Sequence, residues 1–189
     1  MKIVLAQGNP GPSYTQTRHN ISWIILDAYA ASHSVAFKYE KKFMAEVATL
    51  STEDDKMLLV KPTTFYNETG RTARALIDFY KLTPSSDLLV LHDDLSLPFG
   101  TVRVRDTGSD AGNKGIRSIS SHVGSGYWRL RIGIHDETYH PESSADFVLS
   151  RLSAVSIKHT KEKITPAIAT MIEKFQSHTL SPTSAQTLE

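Results

Sequence analysis

The sequence predicts a single-domain α/β fold, a three-layer sandwich in which helices flank a mixed, mostly parallel sheet. Three observations carry this reading. Short apolar strands alternate with amphipathic helical stripes along the chain. One pair of strands is separated by only a short polar run, which predicts a hairpin and an antiparallel part of the sheet. The 189 residues, 40% hydrophobic and 22% charged, are about one domain's worth and can bury a core without disulfide or metal staples.

Lys2–Ala6 is the first strand, and Gln7–Arg18 is a loop holding Gly8-Asn9-Pro10-Gly11. Ile21, Ile24, Ile25 and Ala28 recur at the spacing of one helix face. Met44–Leu50 and Met57–Lys61 read as strands, joined through Glu53-Asp54-Asp55. Ala73, Leu76, Ile77 and Tyr80 mark a second helix, which Pro84 and the serines after it end. The unbroken apolar run Leu88–Leu91 predicts a strand buried on both faces, with His92-Asp93-Asp94 in the loop at its carboxyl end.

Thr101–Arg105 alternates, with Val102 and Val104 facing one way and Arg103 and Arg105 the other. A third helix carries Ile116, Ile119 and Val123. Tyr127–His135 alternates again, with Arg129 and Arg131 opposite Trp128, Leu130, Ile132 and Ile134. His135–Ser144 is polar and loop-like. The last helix carries Ile164, Ile168, Met171, Ile172 and Phe175, and starts or kinks at Pro166. Residues 1–178 are expected to form the domain, and the Ser/Thr-rich residues 179–189 a disordered tail.

Composition excludes several classes of function. With no cysteine, disulfide frameworks, thiolate metal sites and cysteine nucleophiles fall together. The same absence fits a reducing compartment, and a cytoplasmic location is expected. No apolar run is long enough to span a membrane, and the opening Met1–Ala6 is too short for a signal segment. A net charge of +1 argues against a wholly basic, nucleic-acid-coating surface but leaves a local patch open.

In open α/β sheets ligands gather outside the carboxyl ends of the strands. The loops Gln7–His19, His92–Gly100 and His135–Ser144 leave such ends, and all carry His, Asn or Asp. The first is a poor dinucleotide fingerprint, because Ala6 stands where a glycine belongs and Pro10 removes an N–H. His19 gains interest from a possible partner, Asp93, since a carboxylate on one imidazole nitrogen raises basicity at the other. The alternative is a capping or solvated histidine. His92-Asp93-Asp94 and His135-Asp136-Glu137 could hold a divalent cation, but their spacing makes no tight ligand motif and ordinary loop acids explain them better. Arg103, Arg105, Arg129 and Arg131 would share one face if their strands are neighbours, suited to phosphate or simply solvated. Asn67 is either an N-cap or a substrate amide.

Taken together these stretches resemble the bacterial-type peptidyl-tRNA hydrolase family. The pieces run in order: Gly8-Asn9-Pro10-Gly11 with Tyr14, Thr17-Arg18-His19-Asn20, then Lys61-Pro62-Thr63-Thr64-Phe65-Tyr66-Asn67 with Gly70. His92-Asp93-Asp94-Leu95-Ser96-Leu97-Pro98-Phe99-Gly100 follows, then the glycine-containing loop before Ile116. Arg129-Leu130-Arg131-Ile132-Gly133-Ile134 then leads to Phe147-Val148-Leu149.

The resemblance implies an enzyme that cuts the ester between a peptide and the 3′ ribose of tRNA, with no metal or organic cofactor. It implies a monomer without an obligate protein partner or membrane, meeting peptidyl-tRNA at its acceptor stem, 5′-phosphate and 3′ end. By the same resemblance His19 is the general base and Asp93 orients it. Asn9 and Asn67 hold the ester and peptide end, Tyr14 and Tyr66 line the cleft, and Arg105 and Arg131 clamp the 5′-phosphate. Two departures stand out. Tyr66 replaces the family's usual Met, and Gly112-Asn113-Lys114-Gly115 replaces Gly-His-Asn-Gly. Either Asn113 or Lys114 then takes the part of the family's loop asparagine. An RNA-binding relative that has lost hydrolysis is the main alternative, and a metal-dependent hydrolase a further one.

Overall fold

A computed structural model describes residues 1–51, 55–139 and 142–188. Its strands are β1 (Lys2–Ala6), β2 (Lys38–Glu40), β3 (Ala45–Ser51), β4 (Lys56–Pro62), β5 (Leu88–Pro98), β6 (Thr101–Arg105), β7 (Trp128–His135) and β8 (Gln186–Thr187). The helices are α1 (Ile21–Ser32), α2 (Thr69–Tyr80), α3 (Pro84–Asp87), α4 (Lys114–Val123), α5 (Ser144–Leu149), α6 (Ala154–His159) and α7 (Thr165–Gln176).

The sheet order is β2-β3-β4-β1-β5-β7-β6-β8. The central run β4-β1-β5-β7 is parallel and both edges are antiparallel. The expected hairpin is present, with Ala48 opposite Leu59 across β3 and β4. Glu53 and Asp54 of its turn lie outside the described residues.

The central strands read as continuous apolar runs because both of their faces are covered. Val4 and Ala6 join the core formed with α1 and α7, whereas Ile3 and Leu5 join the core formed with α2 and α4. One strand therefore feeds two helical layers, as the three-layer reading requires.

Two expectations are corrected. His92-Asp93-Asp94 is not a loop. β5 continues to Pro98, pairing Asp93 with Ile132 and Asp94 with Gly133 of β7 before the register shifts. The apolar pattern stops at Leu91 because β1 ends there, opposite Ala6, while the backbone ladder continues along β7. The last helix, α7, starts at Thr165 with Pro166 in its first turn, where the sequence expects the start. A π-helical turn, Thr160–Ile164, joins α6 to α7. That wider turn lets Pro166, which has no N–H and would crowd the carbonyl of Glu162, enter the helix without breaking it. The residues expected as a free tail lie along β6: Thr183 N–H donates to the Val104 carbonyl, and Leu188 N–H to that of Gly100. Among the described residues no helix is long and apolar enough to cross a membrane.

Candidate active site

The carboxyl ends of the parallel strands open into a cavity of about 730 Å³. Its walls come from the loop after β1 (Asn9, His19), the second half of β5 (His92–Ser96), the turn before α2 (Tyr66, Asn67) and the loop into α4 (Ser109–Lys114). Arg129 and Arg131 of β7 and part of α5 complete it. Of the His135–Ser144 loop, only Ser144 reaches this cavity among the described residues.

His19 sits in a single 3-10 turn, Arg18–Asn20, immediately before α1. Its Nδ1 donates to Asp93 Oδ2 at 2.9 Å. Asp93 is buried, and the His19 side chain is 15% exposed. With Nδ1–H bonded to a carboxylate, the tautomer is fixed and Nε2 is left as the basic nitrogen for the cavity. The pairing that sequence could only suggest is thus made across 74 positions of chain.

Asn9 is fixed by its neighbours. Its N–H donates to Asn20 Oδ1 and its carbonyl accepts from Asn20 Nδ2, both at 2.9 Å. Its own Oδ1 accepts the Tyr66 N–H at 2.9 Å. Because that partner is a donor, the amide oxygen must point there, and the NH₂ faces the opposite way. Asn67 is exposed on the cavity wall.

Asn113 and Lys114 are placed differently. Asn113 caps α4, its Oδ1 accepting from the Ile116 N–H at 3.0 Å. Its Nδ2 donates to the Tyr66 hydroxyl at 3.0 Å and to the Asp93 carbonyl at 3.3 Å. The amide is therefore committed within the protein, and Lys114 is the exposed cation on the rim. This close approach of α4 depends on Gly115. A Cβ there would lie 1.7 Å from Gln7 Oε1 and 2.4 Å from the Tyr66 ring.

The arginines do share a face. Arg103 stands opposite Arg131 and Arg105 opposite Arg129 across β6 and β7, while Val102 and Val104 go to the α1/α7 core. Like charges directly opposite repel, and separate partners offset this. Arg131 Nε donates to Asp94 Oδ2 at 2.5 Å. Arg129 donates to the Gly108 and Ser109 carbonyls, both at 3.0 Å, which ties down the loop into α4. Burial alone would raise the Asp94 carboxyl. Hydrogen bonds from Ser96 and the Arg131 charge outweigh it and hold Asp94 below the usual carboxylate range.

Two expected residues stand apart. Tyr14 lies half-buried in the turn Pro12–Tyr14 and Arg105 donates to the Thr183 and Val104 carbonyls; neither lines the cavity. Conversely, Asn20 and the Tyr66 hydroxyl were not foreseen as parts of the site. Their contacts join residues 11, 27 and 47 positions apart, and spacing along a chain carries no signal for such pairs.

His92 belongs to the floor of the site rather than to its chemistry. Its Nδ1 donates to the Asp93 carbonyl at 2.9 Å, and burial pushes its pKa down to about 4. Among the described residues no group of three or more His, Asp or Glu could hold a metal ion. The depressed pKa has a measurable consequence. Between pH 6.5 and about 4 the unfolded chain binds a proton at His92 that the folded chain refuses, so stability falls as pH falls through that window. The full effect is about 3 kcal/mol. Urea unfolding at pH 7 and pH 4 should show the wild type losing about that much more than His92→Gln.

Comparison with known proteins places the chain. A family model described as peptidyl-tRNA hydrolase matches residues 3–188. A peptidyl-tRNA hydrolase of Lactiplantibacillus plantarum is 42% identical over 173 residues, covering 89% of this chain and 90% of that protein. One of Lactococcus lactis is 45% identical over 134 residues, covering 70% of this chain and 71% of that protein. The crystal structure of peptidyl-tRNA hydrolase from Acinetobacter baumannii superposes with a TM-score of 0.79 at 27% identity, covering 95% of this chain and 88% of that one. With a match along nearly its whole length, this chain belongs to the peptidyl-tRNA hydrolase family.

Proposed function

We propose that this chain hydrolyses the ester between a peptide, or a blocked aminoacyl group, and the 3′ ribose of tRNA, with His19 as general base. The observation that carries the reading is the 2.9 Å contact of His19 Nδ1 with buried Asp93, which leaves Nε2 to the cavity. A water held at Nε2 gives up its proton as it attacks the ester carbonyl. Asp93 holds the imidazole in the productive tautomer and stabilises the imidazolium that forms. An ester needs no covalent nucleophile, and the imidazolium can return the proton to the leaving ribose oxygen.

The Asn9 NH₂, oriented by the Tyr66 N–H, is the donor best placed to meet the developing oxyanion. Asn67 on the wall holds the peptide end. Lys114 and Arg131 make the rim basic where it meets the tRNA, while buried Arg129 holds the loop into α4. Arg105, diagonal to Arg131 across the strand pair, extends that basic surface for the 5′-phosphate. Contacts of this kind read phosphate and shape more than bases. Nothing in this scheme calls on a metal, and the chain is taken to act as a cytoplasmic monomer.

The reading is tested by release of tRNA from N-acetyl-aminoacyl-tRNA and from free aminoacyl-tRNA, each with and without EDTA. Cleavage of the blocked substrate alone is the expected result. A folded protein that binds tRNA and cleaves neither would leave the RNA-binding reading in its place. Cleavage that EDTA abolishes would favour a metal-dependent hydrolase.

A further inference from the structure

Tyr66 contacts His19, Asp93 and Asn113 with its side chain and Asn9 through its N–H. Its ring lies flat on the imidazole, with centroids 3.5 Å apart and planes 12° from parallel. Its hydroxyl donates to Asp93 Oδ1 at 2.5 Å and accepts from Asn113 Nδ2 at 3.0 Å. Tyr66 is 4% exposed and packs where Gly115 leaves room for its ring. Burial, and then the Asp93 charge, push the hydroxyl well above the ordinary phenol range, so it stays a donor. Both oxygens of Asp93 are therefore engaged, one by His19 and one by Tyr66.

We propose that Tyr66 is a positioning residue that fixes the plane of His19 by stacking and, through Asp93, sets how strongly His19 holds a proton. The proposal rests on the reading of His19 as the base. A hydrogen bond to a carboxylate draws charge from the oxygens, so less of it stabilises the imidazolium on the other side. The Tyr66 hydroxyl thus weakens the hold of Asp93 on the imidazolium. The ring contributes in the opposite sense, because its π face steadies the imidazolium once it forms.

The test is the His19 titration, followed by NMR of its imidazole Cε1 proton, beside the pH profile of kcat/KM for N-acetyl-aminoacyl-tRNA. Tyr66→Phe removes the hydroxyl and keeps the ring. Its His19 titration is expected to rise by about half to one pH unit, and the acid limb of kcat/KM to rise with it. Tyr66→Met removes ring and hydroxyl together, so its His19 titration is expected to lie below that of Tyr66→Phe. A merely structural role would lower activity without moving the titration. Equal His19 titrations in wild type and Tyr66→Phe overturn the proposal, as does a downward shift in Tyr66→Phe or a Tyr66→Met titration at or above that of Tyr66→Phe. A titration that moves while the acid limb stays put supports the tuning by Tyr66 and overturns His19 as the base.

Discussion

Asp93→Asn is expected to lower the rate of ester cleavage by about 10³- to 10⁴-fold while leaving tRNA binding nearly intact. The size follows from the hydrogen bonds around the position. The Tyr66 hydroxyl already accepts from Asn113 Nδ2, so its proton needs an acceptor, and the group at position 93 supplies it. An asparagine there turns its oxygen to Tyr66 and its NH₂ to His19. Nδ1 must then accept, the proton moves to Nε2, and the nitrogen facing the cavity is no longer a base. Adding Tyr66→Phe releases the amide to turn round, so the double variant should cleave faster than Asp93→Asn alone. Single-turnover rates of the three chains on N-acetyl-aminoacyl-tRNA check both statements.

His19→Ala is expected to cost about 10³-fold in kcat with little change in tRNA affinity. In the proposed scheme the residue contributes to the chemical step and not to the phosphate contacts. Its side chain is partly exposed, so alanine leaves a small solvent-filled gap rather than a cavity in the core. It also leaves Asp93 with one of its two side-chain partners. A stability loss larger than about 2 kcal/mol in urea unfolding would show that the imidazole holds the fold as well.

How much of this was legible depends on which interaction made each feature. α1 and α7 were readable because their buried residues repeat with the helical period, and the core accepts them in that pattern. The strand part of β5 from Leu88 to Leu91 was readable for its unbroken apolar run, but the part bearing Asp93 was not. Its pairing with β7 uses backbone groups, and polar side chains give no period to follow. β2 was missed for a similar reason. Lys38–Glu40 is three largely exposed residues at an edge, stabilised by a neighbour and not by its own pattern. Residues 179–188 read as a tail because Ser, Thr and Pro lack apolar periodicity, yet their backbone finds the open edge of β6.

The site divides in the same way. The resemblance supplied the types and order of Asn9, His19, Asn67 and Asp93, and the alternation of β6 and β7 put the arginines on one face. The loop departure could be named in sequence but not resolved. Asn113 turned out to cap α4 and brace Tyr66, because one cap position and one glycine bring that helix end against the ring. In sequence the exchange of Met for Tyr is only a departure from the family's pattern. In the fold it adds a hydrogen bond to Asp93 and a flat contact to His19, and only the three-dimensional arrangement could show that.

The central claim is that His19 Nε2 removes the proton from the attacking water. It is tested most directly by titrating His19→Ala with imidazole and following single-turnover cleavage of N-acetyl-aminoacyl-tRNA. The account predicts a rate about 10³-fold below wild type without imidazole. It also predicts partial recovery that grows with the concentration of the unprotonated base and disappears as imidazole is protonated. Cleavage by His19→Ala near the wild-type rate, with no imidazole present, would contradict it.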